Sequence, residues 1–244
     1  QGLMAGINAH LKLNEQEPFI LRRDEAYIGV LIDDLITKGT DEPYRMFTSR
    51  AEYRILLRQD NADLRLTPRS HAIGLAGDER MRCVELKQKH VRELVGAMRR
   101  ESVNPDDANE LLVPRGTSPL KQKVKLYDIL LRPQVQFADI LRLSSQIQEL
   151  STAMGDLQQE VIEQVEIDVK YEGYLSKERE MADKLGQLES VPIDPEMDYN
   201  RLTSLSIEAR QKLQQVRPST MGQASRISGV SPADLSVLLI YLGR

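Results

Sequence analysis

Five arginines, Arg45, Arg50, Arg54, Arg58 and Arg65, fall between Glu42 and Thr67 in the stretch EPYRMFTSRAEYRILLRQDNADLRLT. A guanidinium is a planar fork of donors that matches phosphate or carboxylate. The stretch can therefore grip an anionic partner or close on its own acids, Glu42, Glu52, Asp60 and Asp63. Ser49-Arg50-Ala51-Glu52 has the form of a capping box, which predicts a helix start. On that helix Arg50, Arg54 and Arg58 would stack on one face and repel mildly unless neutralised. Ala51, Tyr53, Ile55 and Leu57 also alternate with charged residues at the period of a strand, although the helix is the expectation. Either structure presents the three arginines on one side, and both readings of their chemistry, internal pairing and nucleic-acid phosphate, stay open at this level.

Other reactive side chains offer less. Asp33-Asp34 could suggest paired carboxylates for acid–base work. Adjacent helical residues point about 100° apart, however, so solvation or capping is expected. Tyr171 and Tyr174 share a helical face; core packing is expected, with stacking on a nucleobase as the alternative. The single cysteine, Cys83, cannot make an internal disulfide and reads as structural or incidental. His10, His71 and His90 are too scattered for a metal cluster. No Gly-x-Gly-x-x-Gly follows a strand, so no dinucleotide loop is expected. The chain is predicted to hold no catalytic, cofactor-binding or metal-binding residue of its own.

The elements that must carry these residues are helical. The 244 residues are 41% hydrophobic and 29% charged, an ordinary globular composition. No apolar run approaches the roughly 20 residues of a membrane span. The net charge of −4 hides segments of −3 (1–41), +5 (42–132), 0 (133–148), −10 (149–199) and +4 (200–244). A basic block beside an acidic one suits an anionic partner at one surface only; the acidic block reads as the solvated face of a long helix. Periodicity predicts helices over 78–101, over 156–188 with a bend at Gly173, from Ser118-Pro119 onward, and over 207–216, 221–227 and 232–242. The last is apolar nearly all round and is expected to be covered on most sides. VNPDDANELLVPRGTSP and SVPIDPEMDYN read as connectors. The expectation is a mainly α, multi-helix protein with a C-terminal three-helix module and one or two short strands near 42–66.

The stretch AYIGVLIDDLITKGT-DEPYRMFTSRAEYRILLRQDNADLRLT, with YEGYLSKE and PSTMGQASRISGVSPADLSVLLIYL downstream, closely resembles the C-terminal half of the GidA/MnmG family. The resemblance implies a cytoplasmic FAD- and NADH-dependent enzyme, homodimeric at full length. It would act with the GTPase MnmE, using a folate one-carbon donor, to install carboxymethylaminomethyl at C5 of the tRNA wobble uridine. It implies that residues 1–22 are the last helix and exit of an upstream FAD domain and that 23–77 form a linker region with the Arg-rich motif. Residues 78–199 would be a helical domain and 200–244 a partner-binding module. Arg45, Arg50, Arg54, Arg58 and Arg65 become candidate tRNA contacts. Arg217, Gln223, Arg226, Val230 and Leu235 become candidate GTPase contacts, and no cofactor is expected on this chain itself. The QGLMAG opening reads as the middle of a helix, hence a fragment of something longer. The alternative is a stand-alone helical nucleic-acid adaptor, with STMGQASRISGVSPADL as a helix-turn-helix-like reader.

Overall fold

The computed structural model describes residues 1–38, 43–189 and 191–243. Among them the chain forms thirteen α-helices and a single two-stranded sheet. Helices α1 (Gly2–Leu13) and α2 (Tyr27–Lys38) come first. A 3-10 turn at Thr48–Arg50 follows, then irregular backbone to α3 (Ala62–Ala72). Helix α4 (Asp78–Arg100) runs 23 residues, with Asp78 and Glu79 in its first turn and Arg99 and Arg100 in its last, charges that complement the helix dipole. Its buried residues Val84, Lys87, Leu94 and Met98 recur at helical spacing.

Strand β1 (Ser102–Val103) pairs antiparallel with β2 (Val124–Lys125), and α5 (Pro105–Leu112) lies between them. Then come α6 (Leu126–Leu130), α7 (Phe137–Leu143), α8 (Ser145–Thr152), α9 (Gln158–Lys170) and α10 (Glu172–Glu189). Helices α11 (Ile207–Val216), α12 (Met221–Arg226) and α13 (Pro232–Tyr241) close the chain.

The molecule divides into two compact units, Gln1–Leu57 with Lys177–Arg244, and Arg58–Ser176. The second is built on one core that includes Leu94, Met98, Leu126, Ile129, Leu130, Phe137, Ile140, Ile147, Val161 and Val165. The first carries a core of Tyr199, Leu213, Met221, Ala224, Ile227 and Leu238, which takes Ile193 and Met197 from upstream of residue 200. A small second cluster in that unit joins Val30 to Ala51 and Leu57. Serine or threonine hydroxyls cap α11, α12 and α13, and Ser231 with Asp234 completes a capping box.

Several expectations are corrected. Residues 49–58 are neither helix nor strand: after the single 3-10 turn, Ala51 is extended, and the amides of Ile55 and Leu56 donate to the Glu178 carboxylate at 3.0 and 2.9 Å. The Ser49–Glu52 capping box does not form, because Glu52 pairs elsewhere. The sheet lies at 102–103 and 124–125; no strand occurs among the described residues of 42–66.

The first connector contains α5, whose proline at its first position and acids in its first turn favour helix and whose Ala108 and Leu112 are fully buried. Ser118-Pro119 starts no helix: the Asn109 side chain takes both backbone groups of Leu120 at 2.6 and 3.1 Å and holds that residue toward the core. The 156–188 helix breaks at Tyr171, two residues before Gly173, which instead sits in the first turn of α10. Tyr171 and Tyr174 are exposed, ring centroids 6.2 Å apart, and not core. In α13, Leu238 is buried while Ile240, turned about 200° from it around the helix axis, stands exposed, as does Tyr241, the last residue of the helix.

Candidate nucleic-acid interface

The five arginines of the opening stretch separate into two groups. Within Arg58–Ser176, Arg58 donates from Nε and Nη2 to Asp60 at 3.1 Å and from Nη2 to Asp168 at 3.5 Å. Arg65 donates from Nε to Asn61 Oδ1 and from Nη2 to the Arg58 carbonyl, both at 2.9 Å. Both guanidiniums are half-buried clasps. Asp63, another acid of the stretch, accepts from the buried Lys87 at 3.0 Å.

Within the other unit, Arg45, Arg50 and Arg54 are exposed. The Arg45 guanidinium lies 5.4 Å from the centroid of the Phe47 ring, and that of Arg50 lies 4.5 Å from Tyr44. Arg50 Nε donates to the Arg45 carbonyl at 3.1 Å, which folds its side chain back over the Tyr44–Phe47 backbone. Its Nη1 reaches only the outer edge of an ion pair, 3.9 Å from Asp34. Arg54 makes no ion pair among the described residues, and Glu42 lies outside them. Since residues 49–58 form no regular element, Arg50, Arg54 and Arg58 do not line one helical or strand face.

The nearby acids leave these three arginines turned outward because a distant cation has taken them. Arg23 donates from Nη2 to Glu52 at 2.6 Å and from Nη1 to Asp34 and Asp33 at 2.8 and 2.9 Å. Arg226 forms a bidentate pair with Asp33 at 2.7 and 2.8 Å and also binds Glu189. The Tyr44 hydroxyl donates to Asp34 at 2.9 Å. Burial alone would lower the pKa of Arg23; hydrogen bonds to Glu52 and Asp34 more than offset it and raise it. Arg226 is raised in the same way through Asp33 and Glu189. Burial, then the charge of Glu52, pushes Tyr53 up to about 12. The Asp33-Asp34 pair is therefore neither solvated nor capping: Asp34 has 0% exposure and anchors a buried ion-pair network.

The candidate partner contacts are mostly structural where the fold places them. Arg226 belongs to that network. Arg217 adopts φ +51° at the end of α11 and donates to the Pro195 and Met197 carbonyls at 2.9 and 3.1 Å. Gln223 accepts from Ser219 N at 2.8 Å. Val230 and Leu235 are half-buried against the bundle core. A Cβ at Gly222 would overlap the Glu189 carboxyl, so a side chain there would displace that carboxylate from Thr220 and Arg226.

Sequence reasoning missed Arg23, Glu178 and Glu189. The charged run Arg22-Arg23-Asp24-Glu25 ahead of α2 was the one signal, and it gives no hint that only Arg23 turns inward. Among the described residues no group of three or more His, Cys, Asp or Glu could hold a metal ion, and no helix is long and apolar enough to cross a membrane.

The scaffold is mainly helical, with some arginines of the motif clasped by acceptors and others turned outward. The family models for the tRNA modifying enzyme MnmG/GidA C-terminal helical domain and C-terminal helical bundle match residues 78–179 and 181–244. The chain belongs to the MnmG/GidA family. It is 55% identical over all 244 residues to the tRNA uridine 5-carboxymethylaminomethyl modification enzyme MnmG of Flavobacterium psychrophilum and 53% identical to that of Cytophaga hutchinsonii, covering 39% of each. The crystal structure of Aquifex aeolicus GidA in form II superposes with a TM-score of 0.80 at 38% identity, over the whole of this chain and 37% of that one. The chain thus spans about two-fifths of the length of the curated relatives it matches.

Proposed function

We propose that the chain is the RNA-facing helical portion of an enzyme that modifies C5 of the tRNA wobble uridine, and that Arg45, Arg50 and Arg54 contact tRNA phosphates. The observation that carries this reading is that these three guanidiniums stand exposed on one irregular segment while the neighbouring acids are already paired with Arg23. Arg58 and Arg65, committed to Asp60, Asp168 and Asn61 within the other unit, are not proposed as primary contacts.

In this reading the flavin and nicotinamide chemistry belongs to the part of the family that lies outside the stretch matched here. Residues 1–22 adjoin that part, 23–77 carry the arginine motif, and 78–199 form the helical spacer. The bundle of 200–244 docks a GTPase partner through the exposed apolar end of α13 around Ile240 and Tyr241, with the partly buried Val230 and Leu235 as further candidates at the start of that helix. The complete enzyme acts as a homodimer in the cytoplasm.

The test is tRNA binding by the complete protein at several salt concentrations. Charge reversal at Arg45, Arg50 and Arg54 should weaken binding and reduce the salt slope by roughly one for each phosphate no longer neutralised. Arg58→Gln and Arg65→Gln should lower thermal stability and leave the slope alone. A slope unchanged by the first set would remove the reading.

A further inference from the structure

Residues 43–54 carry more than charge. Two guanidinium–aromatic pairs sit side by side, Arg45 on Phe47 and Arg50 on Tyr44, tied together by the bond from Arg50 Nε to the Arg45 carbonyl. Phe47 closes the 3-10 turn, its carbonyl accepting from Arg50 N at 3.0 Å, so the two residues are one turn apart, where 3-10 side chains eclipse. Tyr44 is fixed from behind by its hydrogen bond to Asp34. Phe47 is different: it has no such anchor, and 50% of it is exposed, whereas Ala51, Tyr53 and Leu57 are buried and Met46 is partly buried.

A half-exposed phenyl ring with a cation against it, flanked by outward guanidiniums, is ill-suited to a base-paired helix, whose bases are already stacked. It matches the components by which single strands are held: an aromatic face for the base and arginines for the phosphates on either side. Building on the tRNA-docking reading, we infer that Tyr44, Arg45, Phe47, Arg50 and Arg54 form a site for an unpaired nucleotide, its base stacked on Phe47 and its flanking phosphates held by Arg50 and Arg54. Arg45 closes the second face of the ring, and Asp34, acting through Tyr44, is a positioning residue for Arg50. The one neutral polar side-chain group in this set, the Tyr44 hydroxyl, is committed to Asp34, so the site selects an unstacked nucleotide rather than a particular base.

The experiment compares binding of a hairpin RNA with an unpaired loop and of a fully paired duplex RNA of equal length to the complete protein. Phe47→Leu, which keeps apolar bulk but removes the π-face, should weaken hairpin binding roughly tenfold, with duplex binding and the salt slope unchanged. Phe47→Tyr should restore hairpin affinity. Equal weakening on both RNAs, or on neither, overturns the base site while leaving the phosphate reading intact. Arg50→Gln and Arg54→Gln should each lower the hairpin salt slope by about one; if they do not, it is the docking reading beneath this site that fails, whatever Phe47 shows.

Discussion

Residues 43–57 and 58–65 are chemically alike and behave in opposite ways. In the second, Arg58 and Arg65 find acceptors two to four residues off, at Asp60 and Asn61. In the first, the acid within reach, Glu52, belongs to Arg23 from 29 residues upstream, and Arg45, Arg50 and Arg54 remain at the surface. An arginine's role is thus set less by its own neighbours than by whether a distant cation has already taken them. A buried guanidinium with several acceptors outcompetes an exposed one, because leaving Arg23 without its acceptors inside the protein would cost more than leaving an arginine in water.

Removing the competitor should break this contrast with the largest effect. Arg23→Met takes the nearest guanidinium from Asp34, which has no exposure, and releases Glu52. A destabilisation of about 3 to 5 kcal/mol is expected by urea unfolding. Adding Asp34→Leu should recover part of it, since replacing both partners removes the uncompensated charge. A cost for Arg23→Met below about 1 kcal/mol, the range of an exposed pair, would mean that the network does not hold the segment, and the contrast would need another cause.

An acid satisfied without any cation sharpens the same point at smaller scale. Asp234 accepts from Ser206 N at 2.8 Å, Ser231 N at 2.9 Å and the Ser231 hydroxyl at 2.6 Å. Burial would raise its pKa, but the hydrogen bonds from Ser231 and Ser206 outweigh it and hold the pKa below the ordinary 3.8. A depressed folded pKa means stabilisation that is complete above the unfolded value and lost as pH falls through the folded one. Asp234→Asn should therefore cost about 1 kcal/mol near neutral pH. The gap between variant and parent should close on acidification below about pH 4. A gap that stays constant through the acid range would show that the carboxylate charge is not what the cap uses.

What could be read in advance follows the same division between local and distant. The long helix α4, the capped α11 to α13 and the mainly helical class announce themselves by period and by cap residues within four positions of one another. The failures around the arginine motif involve partners far along the chain. Residues 49–58 have a helix start in their own letters, but the amides of Ile55 and Leu56 bond Glu178, 123 and 122 residues on. Asp33-Asp34 looks solvated until Arg23 and Arg226, the latter 193 residues from Asp33, close on it. Ser118-Pro119 has a good start signal, overruled by Asn109. Of the candidate site, the arginine cluster was legible as a cluster; which members face outward was not, because that is decided by Arg23, outside the motif.

Arg54 gives the smallest expected effect on the fold and so the cleanest test of the outward group. It is exposed, it makes no ion pair among the described residues, and the flanking residues Tyr53 and Leu57 carry the packing of the segment. Arg54→Gln keeps length and hydrogen-bonding capacity and removes only charge, so stability should stay within about 0.5 kcal/mol of the parent, as for surface changes away from special features. If residues 43–57 face RNA, that same silent substitution should still reduce the salt slope of tRNA binding by about one. A melting temperature lowered by several degrees with an unchanged slope would place Arg54 with Arg58 and Arg65 as an internal clasp, and the boundary between the two arginine groups would move from residue 57 to residue 50.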